Sequence, residues 1–512
     1  MSRAALAAIV ASAYLVPKAL VNVDLYDEGI RLYGGMRVLH GAQPYHDFFA
    51  YYGPAQFYWP AALFALFGEQ LLAARAGATL FAVFGVVLMT VLLSRAGVGA
   101  LGLLWVTVAM LVPFSKVPLF GLDPSLSLIL AAGAVALGSV PAPRLLVAGV
   151  CLGLASTFRH DFGLFGAVGL AVSLMLERHA EGSLRARLSR VGIVALAAAA
   201  VVLPVYGALL WRDPARVIDC LFIEPPKLME YRRLPYTHAL GSVWRALRPG
   251  LPSADDEMRL WVMLAPLLAP LGLLALLHRG LRVEVLSAPR RAATLAFLVT
   301  FALGASVYAL GRSDTVHVYP LHCLTSGLLA IIGGPLLRRL GRERGLRISL
   351  ALLALVPLCI GLGHHFISWL QREPSGWVRA RGVRVGGDAA WLTRLLEDVR
   401  SYAGDKPIYV GTERHDRVHR SMLTAYFLTG IESATYYPDL LPGFSTHSSV
   451  QERMIADIEA SGAQAVVLWR LKLPEEPNPS ATEQGSKLLD EYLASRFTPK
   501  TTSLEYELLV RK

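Results

Sequence analysis

Long apolar runs recur along the first 370 residues of the chain, and polar residues do not alternate within them. Such runs predict membrane-spanning α-helices, because a helix satisfies its own backbone hydrogen bonds in lipid. We predict a polytopic α-helical membrane protein with about 11 transmembrane helices in residues 1–370. The clearest spans lie at about residues 4–21, 73–93, 101–119, 126–139, 162–176, 191–210 and 293–310, and the eleventh ends near residue 366.

The remaining residues, 371–512, have the composition of a small soluble α/β domain. Strands are predicted at residues 407–411, 465–469 and 504–510, and helices near 388–403, 418–428 and 450–461. An odd number of spans would place this domain on the outer side of the membrane if the chain begins inside.

Composition agrees with a membrane protein: 54% of the residues are hydrophobic, 17% are charged and the mean hydropathy is +0.47. The first run has no small-residue cleavage site after it, so we interpret it as a retained helix rather than a signal peptide. The four cysteines share no close spacing and predict neither a metal site nor a disulfide framework.

The net charge of +11 is better explained by topology than by a nucleic-acid partner. Arginines cluster in short loops near residues 178–190, 279–291 and 338–347, as expected for cytoplasmic loops. A long loop near residues 211–257 is predicted to be outside, yet it carries Lys227, Arg232 and Arg233. Binding of an anionic ligand would explain this exception.

The first outer loop, at about residues 23–70, is unusually acidic and aromatic. Asp24, Asp27 and Glu28 lie within five residues of one another. The segments 29–39 and 55–67 predict short amphipathic helices at the membrane interface, separated by a turn.

The predicted topology gathers four polar groups on the outer side. They are Asp24/Asp27/Glu28, Asp123, Arg159/His160/Asp161 and Arg312/Asp314/His317. Each group alone has a structural explanation: Asp123 could cap a helix, Arg312 could pair with Asp314, and either histidine could be a buried core residue. Together they indicate a shared cavity, because ionisable groups at membrane depth are costly.

The residue types in these groups suit the transfer of a group from a lipid-linked phosphate to an alcohol. A carboxylate can act as general base on a hydroxyl, and arginines can hold phosphate oxygens. A proton-coupled transporter would also use acids and arginines, but more often at mid-membrane.

The first loop resembles that of the C-type glycosyltransferase superfamily. The resemblance rests on the segment DEGIRLYGGMRVLHGAQPYHDFFAYYGPAQFYWPAALFALFG, on the lone Asp123 and on the hairpin GLASTFRHDFG. The superfamily consists of membrane enzymes that use polyprenyl-phosphate sugars, and includes protein O-mannosyltransferases, aminoarabinose transferases and Rgt-like lipopolysaccharide glycosyltransferases.

The resemblance implies roles for several residues. Asp27 would be the catalytic base, with Glu28 in support and Asp24 as the competing base. Asp123 would orient the acceptor or a bound ion. Arg159 would contact the donor phosphate, although the superfamily often has a lysine there.

Residue chemistry adds further candidates. Arg312, with Arg232 or Arg233, would also hold the phosphate, and His160, Asp161, Asp314 and His317 would support the site. No cofactor is required by the sequence. A divalent cation could bind Asp27, Glu28 and Asp123, but no tight ligand spacing demands one.

We therefore predict an inverting glycosyltransferase of the bacterial cytoplasmic (inner) membrane, with its active site and C-terminal domain facing the periplasm or exterior. Its partners would be a polyprenyl-phosphate sugar donor, a glycan, lipid or protein acceptor, and the lipid bilayer. The alternative is a non-enzymatic transporter or scaffold for lipid-linked glycans. The enzyme hypothesis requires Asp27, Asp123 and Arg159 to line one cavity.

Overall fold

The computed structural model describes residues 2–20, 23–111, 121–138, 140–177, 183–246, 254–339, 378–380, 383–385, 390–417, 421–470 and 476–512. Helices dominate as far as residue 339. They are α1 (Arg3–Ala19), α2 (Asp27–Leu39), α3 (Ala55–Phe67), α4 (Leu71–Arg95), α5 (Ala100–Leu111), α6 (Leu122–Ala136), α7 (Ala142–Phe158), α8 (His160–Leu176), α9 (Leu184–Arg212), α10 (Pro214–Ile218), α11 (Glu224–Arg232), α12 (Tyr236–Ala246), α13 (Ala254–Ala275), α14 (Arg279–Leu286), α15 (Pro289–Gly311) and α16 (Thr315–Arg339).

In the part of the chain that the structure describes, each predicted span as far as Arg339 contains a helix, but the predicted total of 11 is not confirmed. Within the described residues, 4 helices are long and apolar enough to cross a membrane: α4, α9, α15 and α16. A fifth crossing would combine α13 and α14, which meet at an angle of 106°. Five further apolar helices, among them α5 to α8, are shorter. The predicted eleventh span lies outside the described residues.

Small residues let these helices pack closely. A Cβ atom at Gly149 of α7 would lie 2.4 Å from the backbone oxygen of Val194 in α9, and one at Gly153 would lie 2.7 Å from Val201. Close backbone approach of this kind is typical of helix pairs in membranes. The same bundle buries α16 against α5, α13 and α15.

Helix α2 differs from the predicted amphipathic surface helix. Its residues from Glu28 to Met36 are all buried, with α3 on one side and the C-terminal domain on the other. Gly34 packs against Phe57 of α3. The segment is polar enough to predict a solvated face, but the C-terminal domain covers that face.

The C-terminal domain contains a four-stranded sheet of order β3-β4-β6-β5, in which β3 and β4 are parallel and the other pairs antiparallel. Its strands are β3 (Tyr409–Thr412), β4 (Ala465–Trp469), β5 (Phe497–Thr502) and β6 (Tyr506–Arg511), and a separate hairpin is formed by β1 (Val378–Ala380) and β2 (Val383–Val385). Its helices are α17 (Ala390–Ala403), α18 (Thr424–Thr429), α19 (Ser448–Ser461), α20 (Pro479–Thr482) and α21 (Leu488–Arg496).

The C-terminal domain and the first loop share their hydrophobic clusters rather than merely touching. Phe49 of the loop stacks on Phe444 of the domain, with ring centroids 4.8 Å apart. Thr424 donates from Oγ1 to the carbonyl of Asp24 at 2.7 Å, and the backbone N–H of Ser433 donates to the Tyr33 hydroxyl at 2.8 Å. The domain therefore fixes the position of α2 and of the acids at its start.

Candidate active site

A cavity of about 470 Å³ lies where the start of α2 meets the ends of several bundle helices. This volume is typical of small-molecule sites. The sequence-predicted residues that line it are Asp27, Arg159, His160, Asp161, Arg232, Arg312, Asp314 and His317. Residues from three of the four predicted polar groups thus meet at one cavity, together with Arg232 of the long basic loop.

The structure gives Asp24 and Asp27 different surroundings. Oδ1 of Asp24 accepts hydrogen bonds from the backbone N–H groups of Tyr26 at 2.9 Å and Asp27 at 2.8 Å. These groups begin α2, where backbone N–H groups lack partners within the helix, so Asp24 acts as a cap. Asp27, the first residue of α2, lines the cavity, whereas Asp24 does not.

Glu28 lies outside the cavity lining and is paired with Arg75 of α4. Nε of Arg75 donates to Oε1 at 2.8 Å and NH2 donates to Oε2 at 2.7 Å, and both side chains are buried. Oε2 also accepts from the backbone N–H of Asp24 at 3.0 Å. This placement gives Glu28 the position of a structural support for the start of α2.

Asp123 is buried in the first turn of α6 and does not line the cavity. Its neighbours Gly121 and Leu122 do line it. The enzyme hypothesis requires three residues in one cavity. The structure places Asp27 and Arg159 in its lining, whereas Asp123 is buried next to the lining residues Gly121 and Leu122.

Arg159 connects α7 to α8 and is held by two partners. Nε donates to Oδ1 of Asp161 at 2.9 Å, NH2 donates to Oδ2 of the same residue, and NH1 donates to the Tyr308 hydroxyl at 3.4 Å. The guanidinium also lies 4.6 Å from the centroid of the Tyr308 ring. His160 packs beside Phe222, and its Nδ1 is buried without a hydrogen-bond partner among the described residues.

Arg312 is more heavily engaged than Arg159. Its guanidinium donates to Asp314 at 2.6 Å, to both carboxylate oxygens of Glu476 and, at 2.7 Å, to the backbone carbonyl of Arg232. Only 4% of the side chain is exposed. Arg312 therefore fixes the end of α11 and joins it to the C-terminal domain.

Asp314 also orients His317. Its Oδ1 lies 2.6 Å from Nδ1 of the imidazole and accepts the His317 backbone N–H at 2.9 Å. Burial opposes ionisation of this carboxyl, but the nearby His317 and Arg312 together hold the pKa of Asp314 well below its ordinary value. The carboxylate is thus ionised throughout the neutral range.

Arg232 and Arg233, at the end of α11, have different surroundings. Arg232 lines the cavity, where its guanidinium is within electrostatic reach of Tyr26, Tyr51 and Asp27. Arg233 is exposed and does not line the cavity.

Two charged residues of the site have no counterpart in the sequence prediction. Arg31 of α2 lines the cavity, donates from Nε to Gln56 at 3.0 Å and lies 4.3 Å from the ring centroid of Tyr52. Asp439 reaches the same region from the C-terminal domain and accepts a hydrogen bond from Tyr51 at 3.3 Å. The spacing of Arg31, four residues after Asp27 on a helix, could have revealed it, whereas nothing local signals Asp439.

The three acids considered for a divalent cation do not come together. Glu28 is engaged by Arg75, and no group of three or more His, Cys, Asp or Glu side chains in the described ranges has a metal-binding arrangement. The predicted set of ligands does not fit a metal site, and we derive no chemical step through a metal.

These features define a polytopic helical protein with a polar cavity between its helix ends and a C-terminal α/β domain. No protein-family model matches the sequence, and no curated protein matches it. Among solved structures, ArnT from Cupriavidus metallidurans bound to undecaprenyl phosphate is similar in fold, with a TM-score of 0.55 and 14% identity over 99% of this chain and 96% of ArnT. An Archaeoglobus fulgidus oligosaccharyltransferase, solved with Zn and sulfate, gives a TM-score of 0.51 and 11% identity over 91% of this chain and 68% of its own.

Both similar proteins are C-type glycosyltransferases. The chain therefore has the fold of the C-type glycosyltransferase superfamily, as the first loop predicted.

Proposed function

We propose that this protein is a membrane glycosyltransferase that moves a sugar from a polyprenyl-phosphate donor to a hydroxyl of a cell-envelope acceptor. The observation that carries the proposal is the cavity itself, which Asp27 lines together with Arg159, Arg232 and Arg312. A carboxylate and guanidinium groups in one cavity supply both a base for an alcohol and a binding site for the departing phosphate.

Asp27 takes the proton of the acceptor hydroxyl as its oxygen attacks the anomeric carbon, and the bond from that carbon to the phosphate oxygen breaks. Attack in line with this bond inverts the anomeric configuration. The released polyprenyl phosphate gains negative charge, which the arginines stabilise.

Among these arginines, Arg232 is the best placed to hold the phosphate, since Arg159 and Arg312 already donate to carboxylates. We assign Arg159 and Arg312 mainly to setting the shape and positive potential of the cavity. Asp123 and Glu28 do not line the cavity, and they act indirectly, by supporting α6 and the start of α2.

The binding of an undecaprenyl phosphate by ArnT, which shares the fold, supports a lipid-linked donor. We propose a location in the bacterial cytoplasmic membrane with the cavity on the outer side, because the arginine-rich loops predicted to be cytoplasmic connect the opposite helix ends. A transporter or scaffold is less well supported, since the polar groups lie at helix ends and meet a covering domain.

The test is a transfer assay on purified protein, with labelled polyprenyl-phosphate hexose and pentose donors and a cell-envelope fraction as acceptor. Asp27→Asn should insert and fold as wild type but lose transfer, by about 100-fold or more, as expected for removal of a general base. Asp24→Asn, at the neighbouring capping acid, is the matched control and should retain most activity. Full transfer by Asp27→Asn would exclude Asp27 as the base.

A further inference from the structure

A buried carboxylate of the C-terminal domain, Asp439, lies against the proposed phosphate site. Only 3% of the residue is exposed. Its Oδ2 accepts the Tyr51 hydroxyl at 3.3 Å, while its Oδ1 is buried and has no hydrogen-bond partner among the described residues. A buried carboxylate oxygen without a partner is costly and calls for a functional explanation.

The groups that face Asp439 come from three parts of the chain. Tyr26 and Asp27 belong to the start of α2, Tyr51 to the segment before α3, and Arg232 to the end of α11. Tyr26, Tyr51, Asp27 and Arg232 all line the cavity. Asp439 therefore contacts the cavity lining through Tyr51 and is within electrostatic range of the other three residues.

We propose that Asp439 is a positioning residue of the phosphate site, which orients Tyr26 and Tyr51 and whose charge competes with the bound phosphate for Arg232. This inference rests on the proposed function, because it needs a phosphate at Arg232. When Asp439 is ionised, both it and Asp27 attract the guanidinium of Arg232. When Asp439 is protonated, the guanidinium is freer to pair with a lipid phosphate.

The titration of Asp439 supports this coupling. Burial raises the pKa of Asp439 to about 7, against the opposing effect of Arg232 and of hydrogen bonds from Tyr26 and Tyr51. The residue thus changes charge near neutral pH. Since an anion at Arg232 favours the protonated form, linkage requires that protonation favour binding of the anion in return.

The reaction gives this coupling a use. Transfer converts a phosphodiester with one negative charge into a phosphate monoester with up to two, and releases one proton to the base. A nearby carboxyl that binds a proton as negative charge grows would reduce the repulsion that the product meets.

The experiment measures binding of a short-chain polyprenyl phosphodiester, whose single charge does not titrate between about pH 5 and 9, to the full-length protein in detergent. For wild type, the Kd should rise about fivefold or more from pH 5.5 to pH 8.5, the lower end of typical coupling between sites. Asp439→Asn should match wild type at pH 5.5 and bind more tightly than wild type at pH 8.5. Any slope left in this variant would come from other titratable groups that line the cavity.

Two further variants separate this role from a structural one. Tyr51→Phe removes a hydrogen bond that lowers the pKa of Asp439, and should move the midpoint of the pH dependence upward. Asp457→Asn makes the same change at an acid of the domain that accepts the Tyr436 backbone N–H, outside the cavity lining, and should leave the profile unchanged.

The outcomes are distinct. Weaker binding of Asp439→Asn at every pH would show a purely structural residue and overturn the inference, as would a pH dependence equal to that of wild type. Both results leave the proposed function intact. No binding by wild type at any pH would overturn both the inference and the proposed phosphate site. Binding that depends on pH, without any transfer of sugar, would support the inference and exclude the proposed glycosyltransferase activity.

Discussion

Arg232 and Arg233 are adjacent in the chain, but only Arg232 lines the cavity. We predict that Arg232→Ala weakens binding of the donor by about 10- to 100-fold, since hydrogen bonds to charged groups contribute about 1.5–3 kcal/mol. Arg233→Ala should change it less than about twofold, because an exposed surface charge contributes little. The measurement is the KM for the polyprenyl-phosphate donor.

A lysine at position 232 adds a second control. Because Lys provides a point charge without the planar fork of Arg, Arg232→Lys should recover only part of the lost affinity. Equal KM values for Arg232→Ala and Arg233→Ala would place the phosphate elsewhere, with Arg159 as the next candidate.

Glu28 and Arg75 allow a structural role to be separated from a catalytic one. Either Glu28→Gln or Arg75→Gln alone should lower the free energy of unfolding by about 3–5 kcal/mol, as expected when one member of a buried ion pair is removed. The double variant should lose clearly less than the sum. Thermal unfolding in detergent measures this, with Asp27→Asn as a variant expected to remain as stable as wild type.

Activity of that double variant decides the role of Glu28. If the double variant regains both stability and sugar transfer relative to the single variants, Glu28 supports the start of α2 and takes no part in the chemistry. A stable but inactive double variant would instead return Glu28 to the catalytic residues that the resemblance implied.

The capping position of Asp24 was within reach of sequence reasoning, and the position of Asp439 was not. An acid three residues before the first turn of a polar helix, with Glu28 behind it, is a capping signal that points to Asp24 as the cap. Asp439 meets Tyr51 across 388 residues of sequence. Such a contact depends on how the C-terminal domain docks, which periodicity does not encode.

At the scale of elements, α2 depends on glycine for its contact with the C-terminal domain. A Cβ atom at Gly29 would lie 2.4 Å from the backbone nitrogen of Thr424, which is rigid backbone of the domain. We predict that Gly29→Ala destabilises the protein by about 1–3 kcal/mol, the usual cost of overpacking. Because α2 carries Asp27, transfer should fall as well.

Gly192 of α9 provides the matched control, since a Cβ atom there meets nothing within 4 Å. Gly192→Ala should be neutral or stabilise by up to about 1 kcal/mol through helix propensity. Thermal unfolding and hydrogen exchange of α2 measure both changes. A Gly29→Ala variant as stable as wild type would mean that α2 and the domain separate easily.

Predictions of elements succeeded where one physical pattern dominates. Apolar runs predicted the bundle helices, and the buried strands β4 and β6 were predicted from their β-branched and aliphatic residues. Strand β5 was missed because it is largely exposed, with Pro499 and polar residues that mask its alternation. The burial of α2 was missed because a distant domain supplies its cover.

For the whole molecule, the C-terminal domain is part of the site rather than an appendage. It covers α2, places Asp439 behind Tyr51 and holds Arg312 through Glu476. Arg312 in turn donates to the carbonyl of Arg232. The proposed phosphate site is therefore assembled only when bundle, first loop and domain are docked together.

This arrangement predicts a pH-dependent link between domain and bundle. Burial opposes ionisation of Glu476, but its hydrogen bonds from Arg312 and the charge of that residue hold the pKa of Glu476 below the ordinary value of 4.5. A carboxylate with a lowered pKa stabilises the folded protein above its unfolded pKa, and this contribution is lost as the pH falls through the folded pKa. Glu476→Gln should therefore cost about 1–2 kcal/mol at pH 7, the difference between a charged and a neutral hydrogen bond.

The cost of Glu476→Gln should shrink as the pH falls below about 4.5, because the wild-type side chain then loses its charge too. Thermal unfolding of both proteins from pH 7 to pH 3.5 measures this, with Glu483→Gln, an exposed acid after α20 with no resolved ion pair in the described residues, as control. The same Glu476→Gln protein should bind the phosphodiester less tightly at pH 7, because Arg312 no longer holds the end of α11 firmly. A stability difference that stays constant with pH would show that Glu476 contributes shape rather than charge, and unchanged binding would show that Arg232 is positioned without the domain.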